Sequence, residues 1–208
     1  MYTLLKPLFV REELLKRHVR IFRLSVFTRI FKLPQYKAKY FLETQVESGL
    51  FLRLKKGLYA LKTDLPSEEE IANGLYKPSY LSFEYGLAYY HMIPEMPHTV
   101  TSATTKPTRL FSVSNMSFSY RSIKKQAFTG YSLIKLENKS FLIADKEKVL
   151  MDYLYFIALQ KISGRDRLLL SLKNKAYCRT QGLNKEKIKN YLALFRNKKL
   201  KVLVKPFI

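Results

Sequence analysis

The Leu33-Pro34 stop between two short stretches of helical periodicity constrains the N-terminal part of the chain more than any other feature. Proline disfavours helical geometry in the residue before it, so one helix must end there and a second must begin. Before the stop, Val26, Phe27, Ile30 and Phe31 form an apolar stripe that leaves Thr28, Arg29 and Lys32 outward, and Ser25 is placed to cap the helix. After it, Ala38, Phe41, Leu42 and Val46 form the inward stripe of a helix running to Ser48, with Gly49 as its stop. The other face presents Tyr36, Lys37, Tyr40, Glu43 and Thr44, with Lys39 at its border. An earlier helix is expected from Pro7 to about Arg17, followed by an extended segment, Ile21-Phe22-Arg23-Leu24.

Phe51-Leu52-Arg53-Leu54 and Leu58-Tyr59-Ala60-Leu61 then flank Lys55-Lys56-Gly57 and read as a β-hairpin turning at Gly57. Three helices followed by a basic hairpin are the order of a winged helix-turn-helix. A helix that is basic and aromatic near its N-terminus suits the major groove. Lysines meet phosphates, while Gln35 and tyrosines can reach base edges. The DNA-contacting set expected from this pattern is Gln35, Tyr36, Lys37, Lys39 and Tyr40, with Arg29 and Lys32 behind them and Arg53, Lys55 and Lys56 on the wing. The plainer alternative is a small helical domain with a solvated hairpin.

Charge supports a polyanionic partner. The 208 residues carry 38 Lys and Arg against 16 Asp and Glu, a net charge of +22. Residues 1–62 hold 14 basic and 4 acidic groups, residues 63–160 hold 10 of each, and residues 161–208 hold 14 and 2. Two basic ends flank a neutral middle, which suggests two electropositive surfaces. Lys185, Lys187, Lys189, Arg196, Lys198, Lys199 and Lys201 are the candidates for the second one. The alternative is that these lysines only solubilise.

The single cysteine, Cys178, excludes an intrachain disulfide, and charges at Arg11, Glu12 and Glu13 interrupt any signal-peptide core. The longest apolar stretch, Val149–Leu159, contains Asp152 and is too short to span a bilayer. A soluble cytoplasmic protein without a membrane partner is expected.

Beyond a linker at Lys62–Pro66, Ser67-Glu68-Glu69-Glu70 matches a capping box opening a short helix. A helix from about Phe83 to Met92 follows, then strands at Val100–Thr105, Leu110–Val113, Phe118–Arg121, Ser132–Leu136 and Phe141–Ala144. An amphipathic helix capped by Asp145 is expected over Lys146–Gln160. Two more helices are expected at Asp166–Ala176 and, capped by Asn184, at Lys185–Asn197, with a β-like end at Leu200–Val204. The fold class is α+β: a winged helix over 1–62 and a mixed α/β domain with C-terminal helices over 67–208.

Several patterns suggest chemistry but read better as structure. His18, His91 and His98 lack metal-ligand spacing, so no metal or other cofactor is expected. Asp145, Glu147 and Asp152 could be taken for a metal-dependent nuclease set, but Asp145 suits a cap and Lys148 with Asp152 an i,i+4 pair. Thr101–Lys106 offers phosphate-binding groups without the glycines of a phosphate loop and suits a strand.

Taken in order, Gly49-Leu50, Gly57-Leu58-Tyr59, the Ser82 helix with Tyr89-Tyr90-His91-Met92-Ile93-Pro94, Thr101–Lys106, Phe128-Thr129-Gly130-Tyr131 and Ala144–Asp152 resemble the AbiEi family. These are antitoxins of type IV toxin–antitoxin (abortive-infection) systems, and the resemblance runs from about residue 21 to 196. It implies a winged-helix DNA-binding domain joined to a mixed α/β antitoxin domain. It also implies a repressor that binds its own operator, double-stranded DNA with inverted repeats. Such a protein counteracts a nucleotidyltransferase-like toxin without a stable complex. The strongly basic C-terminus departs from the family pattern. No catalytic residue is expected; the alternatives are a nuclease delivered by its winged helix and an RNA-binding protein.

Overall fold

Proline in the first turn opens α1 (Pro7–Lys16), where its missing N–H costs no helical bond, and Val10 and Leu14 are buried one turn apart. The computed structural model describes residues 5–159 and 182–208. It is an α+β chain that divides into two compact units, meeting in sequence at Leu75 and Tyr76.

In the first unit α1 is followed by β1 (Ile21–Arg23), α2 (Leu24–Phe31), α3 (Gln35–Glu47), β2 (Phe51–Lys55) and β3 (Leu58–Leu61). The strands form an antiparallel sheet in the order β1-β3-β2, with Phe22 opposite Tyr59 and Phe51 opposite Leu61. Gly57 turns the hairpin at φ +73°, a conformation open to residues without a Cβ. α2 starts two residues earlier than its expected cap allows: Arg23, not Ser25, is the N-cap, because the chain passes directly from β1 into the helix. Phe22, Phe27, Phe51 and Tyr59 make a buried aromatic cluster, the Phe22 ring lying 5.3 Å from Phe51 and 5.7 Å from Phe27.

The capping box forms as expected: the Glu70 carboxylate accepts from Ser67 N at 3.0 Å, and Ser67 Oγ accepts from Glu70 N at 3.4 Å. It opens α4 (Glu68–Leu75), which belongs to the first unit, whereas the sequence suggested a boundary at residue 62. The reason is Arg20, whose guanidinium reaches Asp64 at 3.2 Å and Glu70 at 3.0 Å and draws the supposed linker back onto the first unit.

The second unit is built on a six-stranded mixed sheet of β4 (Ser79–Leu81), β5 (Thr99–Thr104), β6 (Arg109–Val113), β7 (Met116–Ser122), β8 (Tyr131–Lys135) and β9 (Ser140–Ala144). Its order is β6-β7-β5-β4-β9-β8, with β4–β9 and β5–β7 parallel and the other pairs antiparallel. Among the described residues, helices α5 (Phe83–Tyr89), α6 (Lys146–Leu159), α7 (Lys185–Phe195) and α8 (Lys198–Val204) belong to the same unit. α6 packs against α5, α7 and α8.

Two expectations fail here. Leu200–Val204 is helical rather than β-like: Asn197 accepts a bond from Leu200 N, and Leu200 and Val204, one turn apart, are both buried. α6 is not amphipathic, since nearly every residue from Glu147 to Ala158 is buried, charged ones included. The expected helix at Asp166–Ala176 and Cys178 lie outside the described residues. No helix among the described residues is long and apolar enough to cross a membrane.

Candidate nucleic-acid interface

The inner face of α3 is held by Ala38 and Leu42, both fully buried, and by Phe41, whose ring lies 5.8 Å from that of Phe27. That anchoring decides what the other face can do. Tyr36 and Tyr40 are 69% and 75% exposed, unusual for large aromatics in a packed unit. Gln35 and Lys39 are exposed beside them, and Lys37 Nζ lies 5.9 Å from the centre of the Tyr36 ring. Arg29 and Lys32 are exposed on α2 and at its C-terminal cap. The structure therefore brings five of the expected residues onto one helix and places two more on the helix before it.

The hairpin is less free than its sequence suggests. Arg53 donates to the Glu43 carboxylate at 3.1 Å, tying β2 to α3 and neutralising that guanidinium. Lys55 donates to the carbonyl of Leu75. Lys56 is the exposed lysine of the hairpin tip. Sequence reasoning missed both internal partners; Glu43 was visible on the outer face of the helix, but a backbone carbonyl 20 residues away leaves no sequence signal.

In the second unit Lys185, Lys189, Arg196, Lys198, Lys199 and Lys201 are exposed. Lys187 is also exposed but faces Asp145 at 3.6 Å and Glu147 at 3.9 Å, so its charge is matched within the fold. The same two carboxylates hold α7 in place. Tyr191 donates to Asp145 at 2.6 Å, and the Glu147 carboxylate accepts from Asn184 N at 2.9 Å. Asp145 also caps α6 by accepting from Lys148 N at 2.8 Å, as its position suggested.

Lys148 and Asp152 pair one helical turn apart, fully buried. Tyr80 and Ser82 donate to the Asp152 carboxylate at 3.0 and 2.8 Å, and Lys148 Nζ lies 2.9 Å from Tyr80 Oη. Burial lowers the Lys148 pKa and raises that of Asp152, each opposed by the attraction of the other. A hydroxyl, an ammonium and a carboxylate in contact resemble catalytic equipment, but all are sealed from solvent. Their effect in this fold is to join α6 to β4.

The other chemical patterns resolve similarly. Thr101–Lys106 is largely strand, and its hydroxyls serve the fold: Thr101 donates to the Ser82 carbonyl at 2.6 Å and Thr104 to the Pro78 carbonyl at 2.7 Å. Among the described residues no three of His, Cys, Asp and Glu gather as a metal site. No family model matches this chain, and no curated protein matches it.

Proposed function

We propose that the first unit is a winged helix-turn-helix that reads DNA through α3, and that the whole chain is a transcriptional regulator and antitoxin of the type IV kind. In this reading it represses its own operon and counteracts a nucleotidyltransferase-like toxin. The observation that carries the DNA reading is the outer face of α3. Two exposed tyrosines, a glutamine and two lysines stand on a helix fixed from behind by buried residues. An element presented rigidly with such a face suits major-groove contact. The order α1-β1-α2-α3-β2-β3 and the exposed Lys56 at the hairpin tip support the same reading. The antitoxin role rests on the sequence resemblance.

The DNA reading is tested by gel shift on the DNA upstream of the chain's own reading frame, with scrambled DNA as competitor. Retention of a specific complex at competitor excess is expected; binding that scrambled DNA removes equally would overturn sequence-specific regulation. The antitoxin role is tested separately, by co-expression with the product of the neighbouring reading frame. Relief of growth arrest is expected where that product is a nucleotidyltransferase.

A further inference from the structure

β8 is an edge strand of the six-stranded sheet, and its composition is unusual for an edge. Open strand edges are normally guarded by charge, proline or a covering element. Here Tyr131 and Leu133, and Leu136 just beyond the strand, are 37%, 50% and 50% exposed, and Lys135 is the one charged residue of the strand.

The register shows which backbone groups are open. Leu136 N donates to Lys139 O at 2.8 Å and Asp145 N to Gly130 O at 2.8 Å, so the even-numbered residues of β8 exchange bonds with β9. The N–H and C=O groups of Tyr131, Leu133 and Lys135 therefore point away from β9, and no strand pairs with them among the described residues. Their side chains lie on one face of the sheet, because alternate residues share a face. The Tyr131 ring is held in place by stacking on Tyr80, 4.5 Å away.

We infer that this edge pairs with the same edge of a second copy, antiparallel, with the two-fold axis through Leu133. In that register every outward group of the strand finds its counterpart: Leu133 exchanges both bonds with its symmetry mate, and Tyr131 does so with the mate's Lys135. The side chains match as well. Leucine meets leucine on the axis, and at each end a lysine lies across a tyrosine ring, a favourable cation–aromatic pair. The pairing closes at two copies, whereas joining β8 to the opposite edge strand, β6, would propagate without end. Six strands from each copy would make one continuous sheet. This dimer goes beyond the DNA reading and does not depend on it.

The interface is small, so the association is weak and opposed by the net charge of +22 on each copy. Salt should therefore strengthen it, the reverse of its effect on DNA binding. Sedimentation velocity of the full chain over a concentration series should show a monomer–dimer equilibrium that shifts to dimer at higher salt. Leu133→Lys places like charges on the axis and should raise the dissociation constant about a hundredfold. Because Leu133 is half exposed, the variant should keep its circular dichroism spectrum and urea midpoint. In a Cys178→Ser background, Leu133→Cys should be joined to its mate by a short bismaleimide, which spans the roughly 5.5 Å of a hydrogen-bonded pair, while Lys135→Cys, which faces Tyr131 of the mate and lies about 14 Å from its own counterpart, should not. A wild-type chain that stays monomeric at every concentration and salt would overturn the proposal. So would a dimer that survives Leu133→Lys, or one whose Leu133→Cys form fails to cross-link.

Discussion

Lys148 and Asp152 have no exposed surface, and each is tolerable in the core only because the other is there. Lys148→Met leaves a carboxylate buried with only Tyr80 and Ser82 to solvate it, and Asp152→Leu leaves an uncompensated ammonium. Each single change should cost about 3–5 kcal/mol in urea denaturation, and the double change clearly less than the sum. Additive losses would mean that the two side chains do not depend on each other. Their i,i+4 spacing was visible in the sequence; Tyr80 and Ser82, 72 and 70 residues from Asp152, were not. The same limit applies on the proposed DNA face. Composition pointed to Tyr36, Lys37 and Tyr40, yet it could not reveal that Arg53 is tied to Glu43. The test of that face is therefore centred on α3. Lys37→Ala with Tyr40→Ala should leave the circular dichroism spectrum intact and weaken specific binding, by about 1–3 kcal/mol for each base that the helix ceases to read. A folded double variant that binds operator like wild type would remove α3 from the interface.

At the scale of elements, close approach of α5 to α6 depends on Gly86. A Cβ there would lie 2.7 and 2.9 Å from the two methyl carbons of Val149, inside van der Waals contact. Gly86→Ala gains helix propensity but overpacks this contact, and a net loss of about 1–3 kcal/mol is expected. Val149→Ala in the same chain should recover part of it; equal losses with and without Val149 would place the strain elsewhere. Most elements were readable because their ends carry local chemistry: Pro7, Pro34, Gly57, the Ser67–Glu70 box and Asn184 all act within a few residues of themselves. The misreadings come from tertiary context. Leu-Lys-Val-Leu-Val looks like a strand until Asn197 caps it and α6 receives Leu200 and Val204 on one side. α6 reads as amphipathic because its charged residues interrupt an apolar run, whereas in the fold Lys148, Asp152 and Glu147 all find partners inside. Strand β4 is only three residues long, too short for periodicity to register.

Over the whole molecule two global properties follow from the same residues. Tyrosines are the first: Tyr80 and Tyr120 are fully buried and pushed upward by burial, and Tyr90, partly buried, is pushed up to about 12. The unfolded chain releases these protons near pH 10, whereas the folded chain holds them. Stability is thus intact below about pH 10 and falls above it, by up to about 1.4 kcal/mol per pH unit for each fully buried tyrosine. Urea midpoints measured from about pH 8 to about pH 11 check this, and a flat profile would contradict it. Charge is the second property. Residues 161–208 hold 14 basic and 2 acidic groups, more excess charge than residues 1–62 with 14 and 4. On the described part of that segment Ile188 and Phe195 of α7 and Leu200 and Val204 of α8 are buried, which turns Lys185, Lys189, Lys198, Lys199 and Lys201 to solvent. In the proposed DNA reading these lysines would meet phosphates flanking the sequence contacted by α3, adding affinity with little base preference. Lys187 is excluded from the test, because reversing it would set a carboxylate against Asp145 and Glu147 and loosen α7. Reversal of Lys189, Lys198 and Lys199 to glutamate should weaken binding to a long operator fragment far more than to a minimal half-site. It should also flatten the salt dependence on the long fragment by about 0.9 for each phosphate no longer neutralised. Equal binding by variant and wild type on both fragments at low salt would leave α3 and its hairpin as the whole of the DNA interface and reduce the C-terminal lysines to a solvated face.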